Sequence, residues 1–345
     1  MCVAKRPDPQ QGMLFGDEPP VPPRVAPSKS VQLAPLDEGI AAIAAQLPRT
    51  TYLGTSSWSF PGWRGIVWDR EASESTLARS GLRAYAAHPL LRTVGIDKTF
   101  YRPAPKEEFE RLREQVPAGF RFLVKAHEAI TRRDDPSSPG SECTLFLDAA
   151  YAKEQVVEPM VAGLGDSAGP LVFQFPPLGI RSEVKAEAFI RDLGAFLAAL
   201  PQGPLYAVEV RDRILLRPSW AAMLADTGAT HCYNVHPSQP SPLDQAKWVD
   251  PSTQRAIVGR WMLHSGLSYS QAIERYDPFD RIIDPDPRSR SEFARLCAQA
   301  SQADRHAFII INNKAEGSAP RSVRLLAESI NSLIHHPPTP RSSHG

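Results

Sequence analysis

Glu209 and Arg211 close the apolar run Tyr206-Ala207-Val208-Glu209-Val210-Arg211, and their spacing marks where chemistry should occur. In an extended strand the period of two puts Ala207, Glu209 and Arg211 on one face and Val208 and Val210 on the other. A buried charge costs several kcal/mol unless it is paired, so both charges at one strand end imply partners or a wet cavity. Other apolar runs end the same way: residues 120–126 reach Lys125, with His127 just beyond, 170–175 carry Gln174, and 307–312 finish in Asn312 before Asn313. Polar groups from separate strands are therefore expected to converge on one site.

The residue types suggest roles. Glu209 is a candidate general base or metal ligand, or a structural partner of Arg211 or Lys125. Lys125 has the position of a Schiff-base lysine, but Glu209 and Asp97 nearby are expected to keep its ammonium charged, which favours anion binding over attack. The planar fork of Arg211 suits a phosphate or carboxylate. Gln174, Asn312 and Asn313 can orient a ligand without titrating, or can tie strands together. Trp58, Phe60, Trp63 and Tyr101 follow the first two apolar runs and either stack a sugar or base or pack locally. His264 joins the candidate ligand contacts. A divalent metal held by Asp97 and Glu209 with His127, His236 or His264 is the weaker reading, because no H-E-x-x-H or similar close spacing occurs.

The bulk numbers exclude several classes. In 345 residues, 39 basic side chains meet 38 acidic ones for a net charge of +1, so no global field draws nucleic acid or membrane. Hydrophobic content of 42% and a mean hydropathy of -0.29 fit a globular chain with a full core. Cys2, Cys143, Cys232 and Cys297 lie far apart without a C-x-x-C, so reduced thiols and a cytoplasmic location are expected. No stretch of about 18 apolar residues occurs.

Two segments stand outside this core. Residues 1–48, rich in Pro and charge, are expected to form a disordered tail with a short helix at 37–47, and 335–345 a second disordered tail. Within the first, Gln11-Gly12-Met13-Leu14-Phe15 resembles the pentapeptide by which bacterial DNA-repair and replication proteins dock on the sliding clamp, with Gln11, Leu14 and Phe15 at its fixed positions. The alternative is an apolar spot without function.

From residue 49 to 334, strand-like runs alternate with helical periods. Strands are expected at 51–56, 91–97, 120–126, 170–175, 205–211, 230–235, 256–263 and 307–312, with helices at 75–87, 106–116, 141–162, 182–199, 217–226, 267–275, 288–301 and 320–334. This alternation predicts an α/β fold, a (β/α)8 TIM-type barrel, with a doubly wound open sheet as the alternative. The missing G-x-G-x-x-G and G-x-x-x-x-G-K-[ST] motifs weaken nucleotide-binding versions of the latter. Pro-rich residues 236–255 and the stretch 277–290 form long connections, each read as a solvated linker or, less readily, a lid.

Several separate motifs now accumulate: Gly54-Thr55-Ser56-Ser57-Trp58-Ser59-Phe60-Pro61-Gly62-Trp63-Arg64-Gly65, Thr99-Phe100-Tyr101-Arg102, Phe120 to Ala126, Phe173-Gln174-Phe175-Pro176-Pro177, Glu209-Val210-Arg211 with Pro218-Ser219-Trp220, and Asn312-Asn313 with Gly317-Ser318-Ala319-Pro320. Together they resemble the DUF72, or YecE-like, family from about Tyr52 to Leu326. The resemblance implies a barrel and no established reaction. The chain departs from the family pattern at Gly95 and Asp97, where a Glu and an Asn are usual, and at Met262-Leu263-His264-Ser265, where Arg-Leu-His-Gly is usual. A facing negative and positive pair is read as lost together, with Asp97 able to replace the carboxylate. Residues 212–217 are extra.

The functional expectation is an enzyme, of hydrolase or isomerase type, acting on a small polar, anionic or sugar-like ligand. Glu209, Lys125 and Asp97 would act at the strand C-terminal ends. The alternatives are a DNA-repair-associated protein recruited by residues 11–15 and a ligand-binding barrel without turnover.

Overall fold

Every expected strand forms. The computed structural model describes residues 30–134, 141, 143–264 and 266–336. Its strands are β1 Thr51–Thr55, β2 Thr93–Ile96, β3 Arg121–Lys125, β4 Ala168–Gln174, β5 Tyr206–Glu209, β6 Thr230–Val235, β7 Ile257–Trp261 and β8 Ala307–Ile311. Each pairs in parallel with its neighbours in sequence, and β8 returns to β1 through Thr51↔Ala307 to Thr55↔Ile311, closing the barrel. The protein is a (β/α)8 TIM-type barrel. Where β1 meets β2, a Cβ on Gly54 would lie 1.8 Å from the Thr93 carbonyl oxygen, so only glycine permits the pairing.

The helices follow the apolar periodicity, with two local departures. The helix expected at 75–87 breaks at Gly81 into Glu74–Ser80 and Leu82–Ala86. The one expected at 141–162 begins at Ala149 and widens into a π-turn at Lys153–Val157 before Glu158–Leu164. Pro159 lies just inside the latter, and its missing N–H accounts for the interrupted ladder. The helices Glu183–Ala198 and Pro287–Gln302 match their expected spans within a residue or two, and Ser182 and Asp286 cap them.

Strand periodicity builds the barrel interior in layers. Leu123, Val172, Ala207, Cys232, Val258 and Ile310, none more than 1% exposed, form one apolar cluster contributed by six successive strands. Below it Tyr52 stacks on Phe308 with ring centres 4.7 Å apart. Two residues further along the same six strands come Lys125, Gln174, Glu209, Asn234, Arg260 and Asn312. A step of two returns each side chain to the same face, so a polar ring sits on an apolar floor.

Three expectations about the connections need correction. The short helix expected at 37–47 forms as Glu38–Gln46, but the segment is not a loose tail: Val31, Ile40, Ala44 and Leu47 are buried in the main core, and the Ala34 amide donates to the Val67 carbonyl. Arg92 holds the end of helix Glu38–Gln46 by donating to the carbonyls of Ala44 at 2.7 Å and Pro48 at 3.0 Å. The Pro-rich stretch 236–255 is packed as well, with Gln245 and Val249 fully buried around the helix Pro242–Ala246. The stretch 277–290 is pinned by buried Glu316, whose carbonyl accepts from Ile283 N at 2.8 Å and whose carboxylate accepts from Asp286 N at 2.7 Å and from Arg290. Of the expected tails 1–48 and 335–345, residues 1–29 and 337–345 lie outside the described residues. Among the described residues no helix is long and apolar enough to cross a membrane.

Candidate active site at the barrel mouth

Glu209 ends β5 with no exposure to solvent, and two guanidinium groups meet it. Arg260 on β7 donates from Nη1 to Oε2 at 2.6 Å, and Arg211, two residues past Glu209, pairs through Nη2 with Oε1. Arg260 also reaches Gln174 Oε1 at 3.3 Å and lies 3.7 Å from Asp97 Oδ1. Arg211 in turn donates to Asn234 Oδ1 at 2.8 Å. Glu209, Lys125, Asp97, Arg211 and Gln174 therefore come together as expected, joined by Arg260 and Asn234.

The Glu209 carboxyl and the Lys125 amine are shifted by their surroundings. Burial pushes the Glu209 carboxyl up, but Arg211 and then Arg260 outweigh it and hold the group down to about 2. With both oxygens paired to guanidinium groups, Glu209 is held as an anion. Lys125 moves the other way. Burial first, and the Arg260 charge second, lower its amine to about 8, against the opposing pull of Asp97 and Glu209. The two carboxylates do pull the amine up, as expected, but burial and the arginine charges outweigh them, so the group is mostly an ammonium at neutral pH and gives up its proton more readily than an exposed lysine. Lys125 Nζ lies 3.5 Å from the centre of the Phe100 ring, and among the described residues it makes no ion pair and no hydrogen bond. Cys232, beneath Glu209, is buried, and its thiol is pushed well above its ordinary value by that burial and by the adjacent carboxylate. It stays protonated.

A buried network fixes the Arg211 side of the ring. Trp220 Nε1 donates to His231 Nδ1 at 3.4 Å, which leaves Nε2 of the neutral imidazole to donate to Gln245 Oε1 at 3.0 Å. Burial holds His231 down to about 4. The Gln245 amide donates to the carbonyl oxygens of Asn234 and Pro240, both at 2.7 Å, and Asn234 carries Arg211. The insertion expected to be a linker therefore supports the site.

The remaining candidates divide. Asn312 donates to Ser56 Oγ at 2.7 Å and accepts from Lys314 N, so its side chain is spoken for at the rim of the ring. Asn313 and Trp63 are structural rather than ligand contacts: Trp63 is wholly buried and donates to Asn313 Oδ1 at 3.1 Å, which also accepts from Ala319 N at 2.8 Å. Trp58 is buried with its indole N–H unpartnered among the described residues, whereas Tyr101 is 73% exposed. His264 accepts the Gly266 amide, His127 meets the Tyr151 hydroxyl at 2.9 Å and His236 meets Ser238 Oγ, so none of these histidines hydrogen-bonds Glu209. His236 still lies within the field of the cluster: burial and then the Arg211 charge hold it down to about 4, against the pull of Glu209. Among the described residues no group of three or more His, Cys, Asp or Glu is placed to hold a metal ion. Gln11, Leu14 and Phe15 lie outside the described residues.

Arg260 was the omission with the largest effect. The comparison at Met262 suggested a lost cation, yet the strand supplies one two residues earlier, and it faces Asp97. A signal existed: stepping by two from Val258 along Ile257–Trp261 puts Arg260 on the inner face.

Fold and polar ring together define a TIM-type barrel with a largely buried charged cluster at the strand C-terminal ends. The chain belongs to the family described as protein of unknown function DUF72, whose profile matches residues 52–343. It is similar in structure to a DUF72 family protein from Enterococcus faecalis V583, at 17% identity with a TM-score of 0.59, covering 81% of this chain and 95% of that one. A DUF72 family protein from Thermotoga maritima MSB8 is similar at 19% identity and a TM-score of 0.55, covering 81% and 98%. At these identities the likeness speaks to fold alone. No curated protein matches the chain.

Proposed function

We propose that this protein is an enzyme acting on a small polar ligand that carries an anionic group, bound above the polar ring at the C-terminal ends of the strands. The observation that carries this reading is the unequal pairing of the cations. Arg211 and Arg260 are neutralised by Glu209 and Asp97, which leaves the Lys125 ammonium as the unbalanced charge in the ring. A substrate anion supplies the missing partner. The guanidinium–carboxylate frame is preorganised by Gln174 and Asn234 and needs no reorganisation when charge develops above it. With an amine near 8, Lys125 suits proton transfer at neutral pH better than Glu209 does, and Asp97, whose side chain is 38% exposed, is the carboxylate open to solvent. Proton transfers of this kind belong to hydrolase or isomerase chemistry.

The test is thermal unfolding with inorganic phosphate, glucose 6-phosphate and glucose as probes. The two anions are expected to raise the melting temperature and glucose to leave it unchanged. Lys125→Met is expected to abolish the shift. Equal shifts in the wild type and Lys125→Met, or none with either anion, would sink the proposal.

A further inference from the structure

We infer that Lys125 is a covalent nucleophile, forming an imine with the carbonyl carbon of a small aldehyde or ketone that bears an anionic group. This rests on the ligand reading above and adds to it the class of substrate. Three geometric facts carry it. Nζ is the end of a side chain rooted at the last residue of β3, and the Phe100 ring packed 3.5 Å from it limits the directions it can take. The Thr99 hydroxyl lies 2.6 Å from the Lys125 carbonyl and 2.8 Å from the Ile96 carbonyl and shares its one proton between them, so the strand end that aims the amine is tied to the β2 connection. Most important, neither carboxylate of the site spends a hydrogen bond on the amine, because Glu209 is occupied by Arg211 and Arg260. A lysine meant only to neutralise Glu209 would be salt-bridged to it.

Burial and the field of Arg260 also leave part of the amine neutral near pH 8, which supplies the lone pair such a reaction needs. In the step itself, the Nζ lone pair forms a C–N bond to the carbonyl carbon while the C=O π pair moves to oxygen. The nitrogen then loses a proton and the oxygen gains one, giving a carbinolamine. Protonation of its hydroxyl expels water as the nitrogen lone pair closes the C=N bond, giving an iminium whose N–H returns the borrowed proton, so the sum is R2C=O plus amine giving imine plus water, with no change of oxidation state. Asp97, at the open side of the ring, can carry the proton between nitrogen and oxygen. Arg260, 3.7 Å from Asp97, keeps that carboxylate in place.

The experiment treats the full-length protein with glyoxylate or with the neutral aldehyde acetaldehyde, reduces with sodium borohydride, and maps modified lysines by peptide mass spectrometry. Glyoxylate is expected to label Lys125 well ahead of every other lysine, with labelling that rises as pH passes through about 8 and exceeds that by acetaldehyde at least several-fold. Lys125→Met, checked for folding by circular dichroism, is expected to lose the preferred label. Labelling spread evenly over Lys98, Lys106, Lys185 and Lys247, or equal in wild type and variant, overturns the inference. If Lys125 stays unlabelled while phosphate still raises the melting temperature in a Lys125-dependent way, the covalent inference fails and the anion-binding reading survives. If that shift is also missing, both fall.

Discussion

Arg260 Nη1 and Glu209 Oε2 meet at 2.6 Å although β7 and β5 are not neighbours, since β6 runs between them. The contact spans the barrel interior, so it couples two strands that share no ladder hydrogen bonds. Removing one member of a buried pair leaves the other charge uncompensated, at about 3–5 kcal/mol. Arg260→Met is therefore expected to destabilise by that order in urea unfolding. Asp97→Asn, which touches the same guanidinium at 3.7 Å from an exposed position, should cost about 1 kcal/mol or less. Similar losses in the two variants would show that the cross-barrel pair does not anchor the site.

The acid limb of stability should report Glu209. Its carboxyl lies at about 2 in the folded chain against an ordinary 4.5, so the unfolded chain takes up the proton first as pH falls. The stabilisation is whole above about 4.5 and lost between there and about 2, amounting to roughly 3 kcal/mol by proton linkage. Glu209→Gln should flatten that part of the stability–pH curve. An unchanged slope in the variant would assign the acid limb to other carboxylates.

Lys125 should have the opposite effect on stability. Its amine is lowered from 10.5 to about 8, so below 8 the folded state carries the whole penalty of a buried ammonium. Between about 8 and 10.5 the unfolded chain keeps a proton that the folded chain has released, and stability rises with pH. Lys125→Met should stabilise the protein at pH 7 by roughly 1–3 kcal/mol, with the gain shrinking towards pH 10.5. A loss of stability at pH 7 would mean that the ammonium is held favourably.

The helix Glu38–Gln46 and the segment before it should be required for folding. A chain beginning at Arg49 would uncover the surface that Val31, Ile40 and Leu47 bury and leave Arg92 without its two carbonyl acceptors. The expected loss is about 3 kcal/mol or more, measured as a lower urea midpoint. An unchanged midpoint would make this segment an ornament on the barrel.

How much of this was legible beforehand depended on the kind of order involved. The eight strands and most helices follow from local periodicity, which a sequence displays directly. The convergence of Lys125, Gln174, Glu209 and Arg211 followed from reading strand ends. Arg260 is masked by the family pattern, which puts its cation at the position of Met262, and is marked only by the inward step of two from Val258. The unpaired state of Lys125 depends on which carboxylate each arginine chooses across the barrel, and that choice is made by three-dimensional packing. Gln245 was hidden for a similar reason: a Pro-rich stretch looks solvated until its helix Pro242–Ala246 is seen folded against β6.

The apolar layer beneath the ring also governs traffic. Leu123, Val172, Ala207, Cys232, Val258 and Ile310 form a solvent-excluded apolar layer below Glu209 and Arg260, so these six strands offer a polar ligand no passage from that side. Whatever reaches Lys125 must leave by the route it entered. Two reactants would have to queue, the second lying over the first, and the product of any turnover would block the next substrate until it departed.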